Sequence, residues 1–216
     1  MRIAILIFDR LTALDAVGPY EVLSRLPGAK VSFVAVEPGP KRTDTGALAL
    51  TADRSLADLP DPEIVLVPGG PGNRPLLDDA AVLGWLRTAH ETTRWTTSVC
   101  TGSLVLAAAG ILDGKRATTH WAYMDRLREL GAEPVAERVV EDGKAMTAAA
   151  VSAGIDMALT LAARIAGDEV AQAIQLGIEY DPQPPFDAGS PAKAPEPVLK
   201  IVRQWGIGGA SIENNE

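Results

Sequence analysis

The sequence predicts an α/β fold, a mostly parallel central sheet between helix layers, and three observations carry that prediction. Apolar, branched runs of strand length recur at Ile3 to Phe8, Val31 to Val36 and Ile64 to Val67, the pattern of strands buried on both faces. Segments of helical spacing or composition alternate with strands, as at Leu76 to Ala89 and Thr101 to Ala109. The chain of 216 residues, 47% of them hydrophobic, is long enough to bury about 70% of the surface its unfolded form exposes.

Ile3 to Phe8 reads as the first, central strand. Leu11 to Val17 then leads through Gly18-Pro19 into a helix at Tyr20 to Leu23, so Asp15 falls where strand one hands over to helix one, at the carboxyl edge of the sheet. Val31 to Val36 is the second parallel strand and Thr45 to Asp53 an alternating edge segment. Ile64 to Val67 is stopped by Pro68-Gly69-Gly70-Pro71-Gly72, a strand end opening into a turn. Trp95 to Val99 is a strand and Thr101 to Ala109 a helix ended by Gly110, with Cys100 alone between them. Ala117 to Thr119 predicts a short strand and Ala122 to Leu130 a helix. Arg138-Val139-Val140 and Lys144 to Thr147 predict a hairpin around Asp142-Gly143. Ser152 and Asp168 are placed to cap two further helices, reaching about Ala166 and Glu179. Tyr180 to Pro197 is a proline-rich arm or loop. A single domain over residues 1–205 is expected, followed by a mobile tail over 206–216.

Composition excludes several classes of function. Twenty Lys and Arg against 28 Asp and Glu leave a net charge of −8, which repels phosphate backbones and anionic lipid, so neither nucleic acid nor a membrane surface is an expected partner. One Cys makes no internal disulfide, which fits a reducing compartment. With the two His far apart, at His90 and His120, a structural zinc site is not expected. The longest apolar stretches fall short of the ~20 residues that span a bilayer, and no signal-peptide layout precedes the first strand, so the cytoplasm is the expected location. The glycines of the 68–72 turn lack dinucleotide-binding spacing, and no phosphate-binding loop is present.

In a parallel sheet, ligands bind beyond the carboxyl ends of the strands where strand order reverses, which places Asp15, Gly69-Gly70 and Cys100 in one crevice. A tight strand-to-helix turn at Cys100 would push its thiol into that crevice, and the helix starting at Thr101 would favour thiolate over thiol. The competing reading of a lone Cys, a small buried hydrophobe, is outweighed by the junction and the small pair Thr101-Gly102 that follows. Asp15 is either a carboxylate capping backbone donors or, beside a thiolate, an acid that keeps its proton and donates it. The Gly69 and Gly70 amides, with that of Thr101, are candidates for an anion-stabilising hole, or else an ordinary turn. Thr101 is a partner for the thiolate or a helix cap. His120 either approaches Cys100 or is a hydrogen-bonded structural residue, and His90 reads as solvated.

Five segments together carry a resemblance: Leu14 to Pro19, Val67-Pro68-Gly69-Gly70, Ser98 to Ser103, Ala117 to Trp121, and Asp181 to Phe186. They resemble the ThiJ/PfpI branch of the class I glutamine-amidotransferase-like superfamily, over about residues 2 to 205. The resemblance implies a flavodoxin-like three-layer sandwich with a Cys nucleophile elbow. Protease-like members carry His directly after the nucleophile, where this chain has Thr101. Asp at position 15 with Thr after the Cys is instead the pattern of members that hydrate isonitriles. Ala148-Ala149-Ala150 departs from the family, which would place Gly among these residues.

The implied chemistry is attack of Cys100 on the terminal carbon of an isonitrile, protonation by Asp15 to a thioimidate, and addition of water to release an N-substituted formamide. Thr101 would hold Cys100 or the water, and no metal or organic cofactor is implied. A homodimer with its sites near the subunit interface is the implied assembly. Two other classes compete. One is a glyoxalase or deglycase acting on reactive aldehydes, and the other a non-catalytic ligand-binding or redox-sensing module whose Cys100 is oxidised.

Overall fold

The computed structural model describes residues 1–205. Its centre is β1 (Arg2–Leu6), whose Ile3, Ala4, Ile5 and Leu6 are buried on both faces, as their unbroken apolar run requires. After it come α1 (Ala13–Leu23), β2 (Lys30–Ala35), β3 (Gly39–Arg42), β4 (Ala49–Ala52), β5 (Arg54–Ser55) and β6 (Ile64–Val67). The chain continues through α2 (Ala80–Thr92), β7 (Trp95–Val99), α3 (Gly102–Ala108), β8 (Arg116–Ala117), α4 (Met124–Glu129) and β9 (Glu133–Pro134). It closes with β10 (Val139–Asp142), β11 (Ala145–Ala148), α5 (Ala153–Ala166), α6 (Asp168–Gly177) and α7 (Glu196–Gln204).

Seven strands form one sheet in the order β10-β11-β7-β6-β1-β2-β5, all neighbours parallel except the β10–β11 hairpin. Successive connections step outward from β1 toward β5, and then from β6 the other way toward β11. Right-handed crossovers therefore put α1 and α5 on one face of the sheet and α2 and α3 on the other, the expected three layers. Strand order reverses between β1 and β6, so the loops leaving those two strands open at the switch point. The loop leaving β7 lies one strand away.

Local departures from the sequence reading have identifiable causes. The helix expected from Leu76 begins at Ala80, because Pro75–Leu77 forms a 3-10 turn and Asp79 caps the helix, its Oδ1 accepting from the amides of Ala81 and Val82. The edge segment expected at Thr45 to Asp53 does not join the sheet as a single strand. Its β4 portion pairs with β3 in a separate two-stranded ribbon, and the sheet edge is β5. The short strand at Ala117 likewise lies outside the main sheet, pairing β8 with β9. Gly18 and Pro19 fall inside α1 rather than before it. Ser152 makes no capping bond and instead accepts from Arg138, and Asp168 is the first residue of α6, preceded by Gly167. The arm after Tyr180 ends in α7, which begins inside the expected proline-rich arm and runs through residues to which the sequence reading gave no element. The expected mobile tail, 206–216, lies outside the described residues.

Candidate functional site

The turn from β7 into α3 places Cys100 at φ +56°, a left-handed conformation that costs a non-glycine residue energy and persists only where the surroundings hold it. Several groups hold it here. The Cys100 amide donates to the Ala148 carbonyl of β11 at 3.0 Å. The Cys100 carbonyl accepts from Thr119 Oγ1 at 3.0 Å and from Ser103 Oγ at 3.2 Å. One residue on, the Thr101 carbonyl accepts from the buried Asn73 Nδ2 at 2.8 Å. Close approach is a further requirement. A β-carbon on Gly102 would run into the Val67 carbonyl, so only glycine lets α3 start against the end of β6.

Asp15 enters from the first turn of α1 and is wholly buried. Its Oδ2 accepts from the Gly69 amide at 2.8 Å, while Oδ1 is buried with no hydrogen-bond partner. The Gly70 amide donates to Thr101 Oγ1 at 3.1 Å. These two amides were the expected anion hole, but both already have partners inside the protein. Their place in the structure is to fix the carboxyl and the hydroxyl beside the elbow. Thr101 itself makes no capping bond, and its amide and hydroxyl favour the ionised form of the Cys100 thiol.

The electrostatics depart from the sequence reading. Burial pushes the Cys100 thiol well above its usual range and the Asp15 carboxyl pushes it further, and the two donors of Thr101 pull down by less. The resting thiol therefore keeps its proton, contrary to the expected thiolate. The sulfur lies out of water, which disfavours its charged form. Asp15 is pushed up to about 7, first by burial and secondly by the negative charge of Asp44, with the Gly69 amide and the Cys100 thiol pulling down. A group that titrates near neutrality and faces a thiol is suited to take a proton and return it.

The remaining candidates divide. Cys100, Asp15, Thr101, Gly69 and Gly70 are brought together at the strand ends. His120 is not joined to them by a hydrogen bond: its Nδ1 accepts from the Ala122 amide, its ring packs near Trp121 and Tyr123, and burial lowers its pKa. The neighbouring Thr119 is the residue that reaches the elbow. His90 is half-buried rather than solvated, bonded through Nδ1 to Thr96 Oγ1 at 2.8 Å. Asn73, Ser103 and Thr119 escaped the sequence reading, although Asn73 directly follows the 68–72 turn and Ser103 and Thr119 stand within the Ser98 to Ser103 and Ala117 to Trp121 segments that it singled out. Among the described residues no three His, Cys, Asp or Glu side chains converge in a metal-binding group. No described helix is long and apolar enough to cross a membrane.

Known proteins are similar to this chain to different extents. The model of the DJ-1/PfpI family matches residues 1–164. An isonitrile hydratase of Pseudomonas putida is 48% identical over 204 residues, covering 94% of this chain and 89% of that protein. The crystal structure of a ThiJ/PfpI family protein from Pseudomonas syringae superposes with a TM-score of 0.91 at 37% identity, over 95% of this chain and 85% of that one. More distantly, a glutathione-independent glyoxalase of Caenorhabditis elegans is 26% identical over 66% of this chain and 76% of its own length.

Proposed function

This chain belongs to the DJ-1/PfpI family, and from that premise we propose that it hydrates isonitriles to N-substituted formamides. The observation that carries the reading is the identity of 48% with an isonitrile hydratase across nearly the whole chain. The site chemistry supports it. An isonitrile, R–N≡C, needs a nucleophile and a proton delivered to the same terminal carbon, and Cys100 and Asp15 are a nucleophile and a proton carrier held side by side.

The reaction starts from a protonated thiol and an ionised Asp15. As Sγ of Cys100 bonds to the terminal carbon, its proton passes to Asp15, and the carboxylic acid returns that proton to the carbon. The product is the thioimidate R–N=CH–S–Cys100. Water adds to the C=N bond, its oxygen to carbon and a proton to nitrogen. Collapse of the tetrahedral adduct expels the sulfur, which regains a proton through Asp15, and R–NH–CHO leaves. The sequence of steps balances with water as the only co-reactant. Thr101 orients the sulfur through its amide and hydroxyl, and the Gly69 and Gly70 amides hold Asp15 and Thr101 in register. The same reading takes the protein to be a homodimer, as the family resemblance implies. It places it in the cytoplasm, where a lone thiol stays reduced.

The test is turnover of an aryl isonitrile by the purified protein, read as formamide, for wild type, Cys100→Ala and Asp15→Ala. The expected result is turnover by wild type and loss of at least about a hundredfold in both variants. Unchanged turnover in Cys100→Ala overturns the mechanism. Conversion of methylglyoxal to lactate with no formamide from any isonitrile replaces it with an aldehyde-directed one.

A further inference from the structure

Thr12 stands at the N-cap of α1, yet its side chain caps nothing in that helix. A threonine at this position ordinarily accepts from an amide of the first turn, and the Thr12 hydroxyl instead donates to Asp44 Oδ2 at 2.8 Å. Asp44 belongs to the turn that joins β3 to β4, 32 residues away in sequence. Its amide donates to the Leu11 carbonyl at 2.9 Å, and its Oδ1 accepts from the Thr45 amide at 2.8 Å. The adjoining Thr43 is buried and bridges to Leu11, and the Arg10 amide donates to the Arg42 carbonyl at 2.6 Å. A two-stranded ribbon is marginal by itself. This one is docked by its turn onto the loop that leads to Asp15.

The docking bears on the site because three segments meet at Thr12. Its amide donates to the Gly69 carbonyl at 2.9 Å, its carbonyl accepts from the Asp15 amide at 3.1 Å, and its hydroxyl holds Asp44. Gly69 in turn donates to the Asp15 carboxyl. Asp15 is thereby gripped at its backbone and at its side chain by two residues that bond to each other. Room is short at this junction. A β-carbon on Gly70 would come within 2.5 Å of the Thr12 amide nitrogen, so a shift of Thr12 is passed on to the 68–72 turn. Charge reaches the acid from the same side. After burial, the negative charge of Asp44 is what holds the proton on Asp15, against the pull of the Gly69 amide and the Cys100 thiol. Other charged groups on the neighbouring elements have their own partners or face water. Glu21 of α1 pairs with Arg25, and Asp156 of α5 pairs with Arg138. The Arg42 guanidinium donates to the Gly46 carbonyl within the ribbon, and its amide donates to Asp9. Arg10 and Arg74, on the loops beside Asp15, are exposed. The β7–α3 turn brings the Cys100 thiol, which is uncharged at rest.

We propose that Asp44, through Thr12, is a positioning residue for the proton carrier Asp15: the pair fixes where the carboxyl stands, and the charge it brings to the start of α1 sets the pH range in which that carboxyl relays a proton. The inference rests on the hydratase reading and adds to it a residue outside the crevice. Its consequence has a definite sign. In the reaction above Asp15 starts ionised, so turnover rises with pH as the carboxyl loses its proton. The charge of Asp44 opposes that loss and keeps the rise at higher pH. Asp44 is exposed, so salt weakens its hold, the screening length falling from about 30 Å at 0.01 M to about 3 Å at 1 M.

The test separates charge from position in the full chain. Asp44→Asn removes the charge and keeps both bonds, since the amide oxygen accepts from Thr45 while its nitrogen donates to the Thr12 hydroxyl. Thr12→Val keeps the charge and removes the hydroxyl, which Thr12→Ser restores. The Asp15 proton is followed by its carboxyl carbon resonance in protein labelled with carbon-13 aspartate, assigned by its loss in Asp15→Asn. The pH profile of kcat/KM for an aryl isonitrile is measured beside it. In Asp44→Asn at low salt both midpoints are expected to move down by roughly half a pH unit, which is about a threefold gain in kcat/KM over wild type at pH 6. Wild type in about 1 M salt is expected to approach the variant. Thr12→Val is expected to lower kcat by about tenfold with its midpoint moved less than in Asp44→Asn, and Thr12→Ser to recover most of kcat. Midpoints that are the same in Asp44→Asn and wild type overturn the proposal, even where Asp44→Asn melts at a lower temperature, because a residue that only braces the ribbon would do that. Wild-type kcat in Thr12→Val overturns the positioning through Thr12. If the wild-type protein turns over no isonitrile, the hydratase reading falls, and the carbon resonance alone decides for or against the hold of Asp44 on Asp15.

Discussion

Gly69 donates its amide to Asp15 Oδ2 at 2.8 Å, and a β-carbon added at position 69 would lie 3.0 Å from that oxygen and 2.7 Å from Thr101 Oγ1. One backbone position thus separates the acid from the residue that follows the nucleophile, with no room for a methyl group. Gly69→Ala is expected to cost about 1–3 kcal/mol of stability through overpacking, read by urea denaturation. Turnover should fall by about tenfold or more, because displacement of either group misaligns the proton path. Wild-type stability together with wild-type turnover would show that the spacing is not required.

The Asp15 carboxyl ties stability to pH with a definite sign. Its usual pKa of 3.8 is raised to about 7 in the folded protein. Between those values the native state holds a proton that the unfolded chain has released, so stability is fullest below the lower value and declines as pH rises toward the upper. Asp15→Asn has no such proton. The stability difference, wild type minus Asp15→Asn, is expected to fall by on the order of a few kcal/mol between pH 4 and pH 7 and to level off above. Urea melts at several pH values measure it, and a difference independent of pH contradicts the buried, proton-holding carboxyl.

Removing that carboxylate should make the thiol easier to ionise. Burial and the charge of Asp15 both push Cys100 up, and Asp15→Asn leaves only the first. The thiolate absorbance of Cys100 is expected to appear at lower pH in Asp15→Asn than in wild type, with faster alkylation by iodoacetamide at neutral pH, even though isonitrile turnover is lost. An unshifted or upward-shifted titration would mean that Asp15 does not act on the sulfur.

The sheet was legible because β1 and β6 are buried on both faces and write unbroken apolar runs into the sequence. The elbow was legible because a strand, one Cys and a small pair leave few other conformations. Gly39-Pro40-Lys41-Arg42 gave no strand signal, since its ribbon lies off the sheet and its side chains are largely exposed. The proton on Cys100 was misjudged for a related reason: it is kept there by tertiary burial and by Asp15, 85 residues away in sequence, which no local pattern records. Asn73 and Thr119 act through side-chain bonds to carbonyls 28 and 19 residues away, and such bonds have no periodicity.

Thr119 gives the last prediction. Its hydroxyl donates to the Cys100 carbonyl, and with Ser103 it holds a residue that would otherwise relax from φ +56°. Thr119→Val keeps the shape but leaves that carbonyl with one donor fewer, at a cost of about 1–2 kcal/mol in stability. The kinetic effect separates positioning from packing. Thr119→Val is expected to lower kcat for isonitrile hydration with little change in KM, because the sulfur is misplaced while the substrate pocket is intact. Thr119→Ser, which restores the donor without the methyl, is expected to recover most of kcat. If Thr119→Ser is as slow as Thr119→Val, the lost methyl and not the hydrogen bond is responsible, and the clamp on the elbow is not what positions the nucleophile.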